Sequence, residues 1–243
     1  MTNLIALVGA TASGKSSLAI EIATALTDAE IINADAMQLY RGMDIGTAKL
    51  SSKEQRGIRH HLLSVIDPSE ELTAVEYREL FDTAVRDVLS RGKTPIVVGG
   101  STLYLASALD ELSFAPTDSE LRSELEKQSE EIGALSMHAK LKELDPAAAE
   151  KIPATNRRRV IRAIEVIKLS GKNYSASLPD PSYRRPTVQL AIDVSREELG
   201  RRIKQRVEKM WREGLVDEVR ELIKKELSRT ARVAIGYKQA IDF

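Results

Sequence analysis

The chain contains no cysteine, no long run of apolar residues and no excess of charge of either sign. The absence of cysteine excludes a disulfide framework, a Cys-ligated zinc site and a thiol nucleophile, and it is typical of proteins in a reducing compartment, so we expect a cytoplasmic location. No segment approaches the roughly eighteen consecutive apolar residues of a membrane span, and the amino terminus has no basic leader. We therefore expect neither a membrane association nor an export signal.

The charges of the chain cancel, because 36 Lys and Arg residues stand against 36 Asp and Glu residues. A net charge of zero argues mildly against nucleic-acid binding, although an average can hide patches of opposite sign. With 42% apolar and 30% charged residues, the 243-residue chain has a globular composition, which excludes disordered and collagen-like classes. Its length suffices for one large core, or for one core with an inserted subdomain.

Apolar strand segments alternate with helix-periodic segments in the first hundred residues. The sequence predicts strands near residues 4–8, 30–35, 61–66 and 94–100, and an amphipathic helix over residues 73–90. Continuously apolar strands that alternate with helices indicate a parallel sheet covered by helices on both faces.

The pattern changes after Phe114. Residues 118–170 contain no strand candidate, only helical patterns that break at Gly133, Pro146 and Pro153, and a polar, proline-rich stretch follows at residues 171–186. A strand returns at residues 188–193, and we expect it to rejoin the first sheet. The prediction is a catalytic core of residues 1–114 and 187–243, with an all-helical insertion at residues 115–186.

A phosphate-binding loop follows the first predicted strand. The pattern G-x-x-x-x-G-K-[ST] is matched, between a strand and a helix, by Gly9, Ala10, Thr11, Ala12, Ser13, Gly14, Lys15 and Ser16. Such a loop directs backbone N–H groups and a helix dipole at phosphate oxygens, while Lys15 adds a mobile positive charge and Ser16 can ligate Mg²⁺. We expect a P-loop NTPase-like α/β fold that binds a diphosphate or triphosphate. The motif leaves open whether a phosphoryl group is transferred, hydrolysed or lost as a leaving group.

Asp35 ends the second predicted strand at the same edge of the sheet as the phosphate loop, because ligands of open α/β sheets lie beyond the carboxyl ends of the strands. The segment that contains it, residues 33–49, reads NADAMQLYRGMDIGTAK. It is too rich in polar residues and glycine for a core helix. Nearly residue by residue, it resembles the corresponding segment of the tRNA dimethylallyltransferases (isopentenyl-tRNA transferases).

Further motifs of that family follow in order over essentially the whole chain. They are matched at residues 60–62 with 67–68, 98–104, 156–166, 214–219 and 234–238. The resemblance implies transfer of a dimethylallyl group from dimethylallyl diphosphate to the exocyclic N6 amine of the adenosine 3′ of the anticodon in tRNA, with release of diphosphate. The implied partners are the tRNA anticodon stem-loop and dimethylallyl diphosphate, and we expect a monomer.

The resemblance also implies roles for individual residues. Asp35 stands at the position of the general base that deprotonates the adenine amine, Lys15 and the phosphate loop hold the leaving diphosphate, and Mg²⁺ binds at Ser16. Ser101 stands where relatives usually carry Thr, and it keeps the hydroxyl that contacts the diphosphate and lies near the reacting adenine. The resemblance therefore implies a catalytic and a tRNA-binding role for Ser101. The flipped adenine is gripped by Asp35, Ala36, Met37 and Gln38, with Ala36 replacing the Ser often found in relatives.

Three clusters of charged residues can each be interpreted either as a ligand contact or as a structural or solvent-exposed helix face. Residues 156–172 carry six basic side chains against one acid, and residues 118–131 carry six acids against two basic side chains. The acidic run is interpreted as a solvated helix face. The basic run matches the RNA-contact segment of the family, which implies tRNA contacts by Arg158, Arg159 and Arg162, with Arg122 as a further contact. The alternative for these arginines is salt bridges with the acidic helix. The third cluster, at residues 196–206, is either a diphosphate contact or an exposed amphipathic helix, and His60 and His61 are interpreted as structural.

Three alternatives stay open. An adenylate dimethylallyltransferase, which prenylates free AMP, ADP or ATP, shares most of these motifs. Relatives that act on tRNA commonly continue past the motif at residues 234–238 with further basic helices, whereas this chain stops at Phe243. A small-molecule kinase would use Lys15 and Asp35 for phosphoryl transfer. A non-catalytic RNA-binding module could have kept the fold.

Overall fold

The computed structural model describes residues 4–111, 114–174 and 182–243. Residues 1–3, 112–113 and 175–181 lie outside the described residues. The last of these segments belongs to the predicted proline-rich stretch at residues 171–186. The chain divides into two compact units. The core unit comprises Met1–Asp110 and Ser182–Phe243, and the helical unit comprises Glu111–Pro181.

The core unit contains a five-stranded sheet in which every neighbouring pair of strands is parallel. Its strands are β1 (Leu4–Gly9), β2 (Ala29–Asn33), β3 (His60–His61), β4 (Thr94–Val98) and β5 (Thr187–Ile192), in the spatial order β3-β2-β4-β1-β5. The returning strand β5 pairs with β1 over its whole length, so that Gly9 lies opposite Ile192. The predicted α/β class and the return of the last strand to the first sheet are confirmed.

Helices cover both faces of this sheet. In the core unit they are α1 (Lys15–Leu26), a short 3₁₀ helix (Met37–Leu39), α2 (Ala74–Ser90) and α3 (Thr102–Leu109) before the helical unit. After it come α7 (Arg196–Arg212), α8 (Leu215–Leu222), α9 (Arg229–Arg232) and α10 (Tyr237–Asp242). Successive strand residues point to opposite faces, so Leu4 of β1 packs in the cluster that contains Phe81 of α2, whereas Leu7 packs with Ile20 of α1. The edge strand β5 is the exception, since Val188 and Leu190 expose 45% and 42% of their surface.

The third strand is shorter than predicted. The pattern predicts a strand over residues 61–66, but β3 ends at His61. Leu62 and Ser64 have φ angles of 60° and 54°, which turn the chain out of the sheet. The Asn33 side-chain amide donates to the Leu62 carbonyl at 3.0 Å and so stabilises this turn from the end of β2. An apolar pattern alone does not reveal such a side-chain contact.

The helical unit consists of α4 (Ser119–Leu144), α5 (Pro146–Lys151) and α6 (Arg157–Ser170), and its described residues form no strand. Gly133 interrupts α4 with a φ of 81°, as the break in the pattern predicts. The unit has its own core, in which Leu141 of α4 packs with Ile161 and Ile164 of α6. None of the helices in the described ranges is long and apolar enough to cross a membrane.

Candidate active site

A cavity of about 340 Å³ opens in the core unit at the carboxyl ends of β1, β2 and β4. Its walls come from five segments: the phosphate loop with the start of α1, β2 with the chain after it, β3 with the chain after it, the end of β4 with the chain after it, and α7. The polar residues that line it are Thr11, Ser13, Lys15, Ser16, Ser17, Asn33, Asp35, Gln38, Thr47, His60, Arg202 and Arg206. Ligands bind at this edge of an open α/β sheet.

The phosphate loop is tightly curled between β1 and α1. Gly9 has a φ of 152°, and a Cβ atom there would lie 2.9 Å from the carbonyl oxygen of Ile192 in β5. Gly14 has a φ of 96° and forms the amino-terminal cap of α1. The Ser13 hydroxyl is buried and has no hydrogen-bond partner among the described residues. Both glycines are therefore required by the backbone, and a buried polar group is left for a ligand.

Lys15 folds back over the loop that precedes it. Its Nζ donates to the carbonyl oxygens of Gly9 at 2.9 Å and Ala10 at 2.7 Å. Burial lowers the pKa of Lys15, while the nearby Asp35 carboxylate raises it and Arg206 lowers it further. Lys15, Arg202 and Arg206 line the same cavity as the single carboxylate of Asp35. This excess of positive charge suits a multiply charged anion such as a diphosphate.

Asp35 is fixed by the asparagine two residues before it. The Asp35 N–H donates to Asn33 Oδ1 at 3.0 Å, and Asn33 Nδ2 donates to the Asp35 carbonyl at 3.0 Å. Asp35 Oδ1 in turn accepts the N–H of Met37 at 3.0 Å. The Tyr77 hydroxyl donates to the Asn33 carbonyl at 2.9 Å and anchors this strand end to α2. One carboxylate oxygen thus orders the backbone, and Oδ2 makes no hydrogen bond within the described ranges.

The chain after β4 crosses the chain after β2 at very short range. A Cβ atom on Gly99 would lie 2.2 Å from the Ala34 carbonyl oxygen, and the Ala34 N–H donates to the Val98 carbonyl at 2.8 Å. At Gly100 a Cβ atom would lie 3.8 Å from Lys15 Nζ. Gly99 is therefore required where the backbone passes beside the chain that carries Asp35, whereas a Cβ atom at Gly100 would make only an ordinary contact with Lys15.

Two arginines of α7 reach the cavity. Arg206 donates to the Thr47 carbonyl at 3.0 Å, and Arg202 donates to the Ser13 carbonyl at 3.2 Å and to Glu198 Oε1 at 2.6 Å. Burial lowers the pKa of Arg206, while Asp35 raises it. The basic cluster at residues 196–206 thus supplies two cations at the phosphate loop. The only sequence signal for them is a basic run after the returning strand.

The structure brings most of the predicted core-unit site residues together. The cavity is lined by Thr11, Ala12, Ser13, Gly14, Lys15, Ser16, Asp35 and Gln38. Gly9, Ala10, Ala36, Met37 and Ser101 do not line it, although each lies within two positions of a lining residue in the sequence. The Ser101 hydroxyl accepts the N–H of Tyr104 at 3.4 Å and so caps α3.

The two neighbouring histidines have different surroundings. His61 Nε2 lies 2.6 Å from Glu30 Oε2, and Glu30 is 1% exposed and does not line the cavity. His60 lines the cavity, with Nδ1 2.8 Å from the Ile58 carbonyl and a buried Nε2 that lacks a partner among the described residues. Burial lowers the pKa of His60. His61 is structural, whereas His60 presents a nitrogen without a protein partner.

The predicted tRNA-contacting arginines of the helical unit fall into two pairs. Arg122 Nη2 and Arg162 Nη1 each lie 2.9 Å from Glu165 Oε2, and the Glu165 side chain is completely buried. Arg158 and Arg159 are exposed and form no ion pair in the part of the chain that the structure describes. Arg122 and Arg162 therefore have a structural partner, and Arg158 and Arg159 are free for a ligand.

No group of three His, Cys, Asp or Glu side chains within the described ranges could hold a metal ion. Mg²⁺ commonly takes only one or two protein oxygens and completes its shell with substrate phosphates and water. The Ser16 hydroxyl lies in the cavity beside the phosphate loop, and Asp35 lines the same cavity. This donor set fits an Mg²⁺ ion that arrives with a diphosphate.

Comparison with known proteins supports the family resemblance. A family model described as IPP transferase matches residues 38–243. A tRNA dimethylallyltransferase of Kineococcus radiotolerans is 48% identical over 246 residues, which cover 98% of this chain and 78% of that protein. The solved structure of a tRNA isopentenylpyrophosphate transferase from Bacillus halodurans matches with a TM-score of 0.67 and 37% identity, over 100% of this chain and 77% of that one. A eukaryotic dimethylallyltransferase acting on tRNA matches with a TM-score of 0.79 and 29% identity, over 92% of this chain and 56% of that one. The chain belongs to the tRNA dimethylallyltransferase family.

Proposed function

We propose that the protein transfers the dimethylallyl group of dimethylallyl diphosphate to N6 of the adenosine 3′ of the anticodon in tRNA. One observation carries the proposal: a single cavity contains a phosphate loop with three cations and, beside it, the carboxylate of Asp35. The phosphate loop and its three cations suit a diphosphate leaving group, and the carboxylate suits a general base. We also propose that the protein acts as a monomer.

At the donor end, the C1–O bond breaks and the diphosphate leaves with the electron pair. The N–H groups of the phosphate loop, together with Lys15, Arg202 and Arg206, stabilise the negative charge that develops there. Lys15 can exchange its two carbonyl partners for diphosphate oxygens, because both are weaker acceptors than an anion. Mg²⁺ held by the Ser16 hydroxyl and the diphosphate would supply further positive charge at the leaving oxygens.

At the acceptor end, the adenine N6 forms a bond to C1 and loses a proton. This amine is a weak nucleophile because its lone pair is delocalised into the ring, so a base must remove the proton as the C–N bond forms. Asp35 is that base. Its Oδ1 stays with the Met37 N–H, and Oδ2 is free to accept the proton.

The target base must leave the anticodon stack to reach the cavity. Residues 35–38 border the cavity, and Gln38 lines it, so this segment grips the flipped adenine. Ser101 follows Gly100 and contacts the diphosphate once it is bound. In the helical unit, Arg158 and Arg159 are exposed cations without an ion pair among the described residues, and they bind RNA phosphates.

The donor and acceptor are tested by incubating the protein with labelled dimethylallyl diphosphate or with γ-labelled ATP, each with unmodified tRNA and with AMP. The expected result is label in tRNA from the prenyl donor. Label only in AMP would instead identify an adenylate dimethylallyltransferase, and transfer only from ATP would identify a kinase.

The role of Asp35 is tested with Asp35→Ala. Turnover should fall by roughly 10²-fold or more, while tRNA affinity changes little. Asp28→Asn, at an exposed aspartate between α1 and β2, is the control and should match the unmodified protein. A turnover of Asp35→Ala within a few-fold of the control would exclude this base.

A further inference from the structure

Two motifs of the sequence, residues 214–219 and residues 234–238, take no part in the chemistry above. In the core unit they meet at one hydrogen bond, where the Tyr237 hydroxyl of α10 donates to Glu218 Oε1 of α8 at 2.6 Å. Tyr237 is 2% exposed. A short, partly buried hydrogen bond to a carboxylate indicates a fixed geometry.

The Glu218 carboxylate also holds a loop that is more than 170 residues away in the sequence. Its Oε2 accepts the N–H groups of Asp44 at 3.0 Å and Ile45 at 2.7 Å, and its Oε1 accepts the N–H of Gly46 at 3.2 Å. Three successive backbone donors and one hydroxyl thus converge on one carboxylate. A side chain with two acceptor oxygens satisfies all four.

Tyr237 packs against the same loop. A Cβ atom on Gly46 would lie 2.5 Å from Tyr237 Cε2 and 2.8 Å from its hydroxyl oxygen. The tyrosine ring therefore occupies the space of a side chain at position 46. We name Glu218 and Tyr237 the loop clamp, and residues 44–47 the clamped loop.

The clamped loop ends at a carbonyl that orients two residues of the cavity. The Thr47 carbonyl oxygen accepts Gln38 Nε2 at 3.1 Å and Arg206 Nη2 at 3.0 Å. The Thr47 hydroxyl donates to the Met43 carbonyl at 2.7 Å, which ties this carbonyl to the rest of the loop. Any shift of the clamped loop therefore moves the partner of both Gln38 and Arg206.

We propose that Glu218 and Tyr237 are positioning residues for the transfer reaction, which fix the loop whose Thr47 carbonyl aims Arg206 at the diphosphate and Gln38 at the adenine. This inference rests on the proposed function for the identity of the two ligands. It assigns a role to both motifs, neither of which touches the cavity. The mechanism is preorganisation: the cation and the amide are held before the ligands arrive.

The test compares two glutamates of α8 that receive the same substitution. Glu218→Gln replaces one acceptor oxygen by an NH₂ group, which opposes the N–H donors of the clamped loop. Glu221→Gln is the matched control, since Glu221 is exposed and, among the described residues, forms an ion pair only with Lys224 at 2.6 Å. Tyr237→Phe is the milder variant, because it removes one hydroxyl and keeps the ring against Gly46.

Three measurements are made on folded protein at low temperature. They are the exchange rates of the amide protons of residues 44–46, the Kd for inorganic diphosphate, and the steady-state kinetics (kcat and KM) with dimethylallyl diphosphate. Glu218→Gln should accelerate exchange and raise both the diphosphate Kd and the donor KM about tenfold, because Arg206 is no longer held in place. Tyr237→Phe should raise both about threefold. Glu221→Gln should leave all three unchanged.

A purely structural role would lower the melting temperature of the two clamp variants but leave the diphosphate Kd and the donor KM of the folded protein unchanged, and this result overturns the inference. If Glu218→Gln does not fold, Tyr237→Phe decides by the same two constants. The diphosphate Kd needs neither tRNA nor turnover. An unmodified protein that transfers no prenyl group therefore refutes the proposed function without affecting this test of the clamp.

Discussion

Replacing Arg162 and replacing Arg158 should affect different properties of the protein, although both residues belong to the same run of arginines in α6. Arg162 lies 2.9 Å from the buried Glu165 carboxylate, whereas Arg158 is exposed and forms no ion pair with a described residue. Arg162→Ala should lower the stability of the protein, and Arg158→Ala should lower its affinity for RNA.

The stability effect follows from the contacts of Arg162. Besides Glu165, its guanidinium donates to three oxygens of residues 115–117 at distances of 2.9 to 3.0 Å. Breaking a buried ion pair costs about 3–5 kcal/mol, and we expect about 3 kcal/mol because Arg122 still neutralises Glu165. Adding Glu165→Gln to Arg162→Ala should recover part of this loss, since the buried charge is then removed.

The affinity effect follows from the exposure of Arg158. Loss of one phosphate contact should weaken RNA binding similarly for all sequences and reduce the slope of log K against log salt by about one. An exposed substitution of this kind changes stability by no more than about 0.5 kcal/mol. Arg220→Ala, at an exposed arginine of α8 paired with Asp217, controls for the loss of one positive charge.

The assay combines unfolding followed by circular dichroism with fluorescence anisotropy of a labelled anticodon stem-loop RNA at several salt concentrations. The reasoning is refuted if Arg162→Ala keeps full stability and reduces the salt slope, while Arg158→Ala behaves like Arg220→Ala. That outcome would mean that Arg162 leaves Glu165 to bind RNA.

Three further predictions concern the core unit. Gly99→Ala should destabilise the protein by about 3 kcal/mol or more in chemical denaturation, because its Cβ would lie 2.2 Å from the Ala34 carbonyl oxygen. Gly200→Ala is the control: it lies in open space on α7 and should stabilise the protein by about 0.5–1 kcal/mol. Burial alone would raise the pKa of Glu30, but hydrogen bonds from neighbouring cations lower it to about 2 from an ordinary 4.5. Its contribution of about 3 kcal/mol is therefore complete above pH 4.5 and is lost as the pH falls towards 2, so the unfolding free energy of Glu30→Gln should depend less on pH in this window. Arg206→Lys should raise the donor KM about tenfold and leave tRNA affinity unchanged in anisotropy measurements, because a lysine cannot hold both the Thr47 carbonyl and a diphosphate in a planar fork.

The sequence alone determined the parallel sheet, the phosphate loop and the place of Asp35. Each of these is encoded by neighbouring residues: the apolar runs of β1, β2 and β4, the contiguous motif at residues 9–16, and an aspartate directly after a buried strand. Local patterns suffice because the carboxyl ends of parallel strands meet at one edge whatever the rest of the fold does. The motif order along the chain likewise determined the family.

Only the tertiary structure decided which distant side chains serve these elements. Arg206 is held at the cavity by the Thr47 carbonyl, which is 159 residues away in the sequence. Glu218 binds a loop that is 172 to 174 residues away. No local sequence pattern can indicate contacts over such separations. The strand β3 ends early because the Asn33 side chain stabilises the turn at Leu62. Arg122 and Arg162 form ion pairs with Glu165 because this carboxylate is buried. A run of arginines looks uniform in a sequence. The buried Glu165 carboxylate gives Arg122 and Arg162 a partner within the protein, whereas Arg158 and Arg159 are exposed and form no ion pair with a described residue, because a buried charge requires a partner and an exposed one does not.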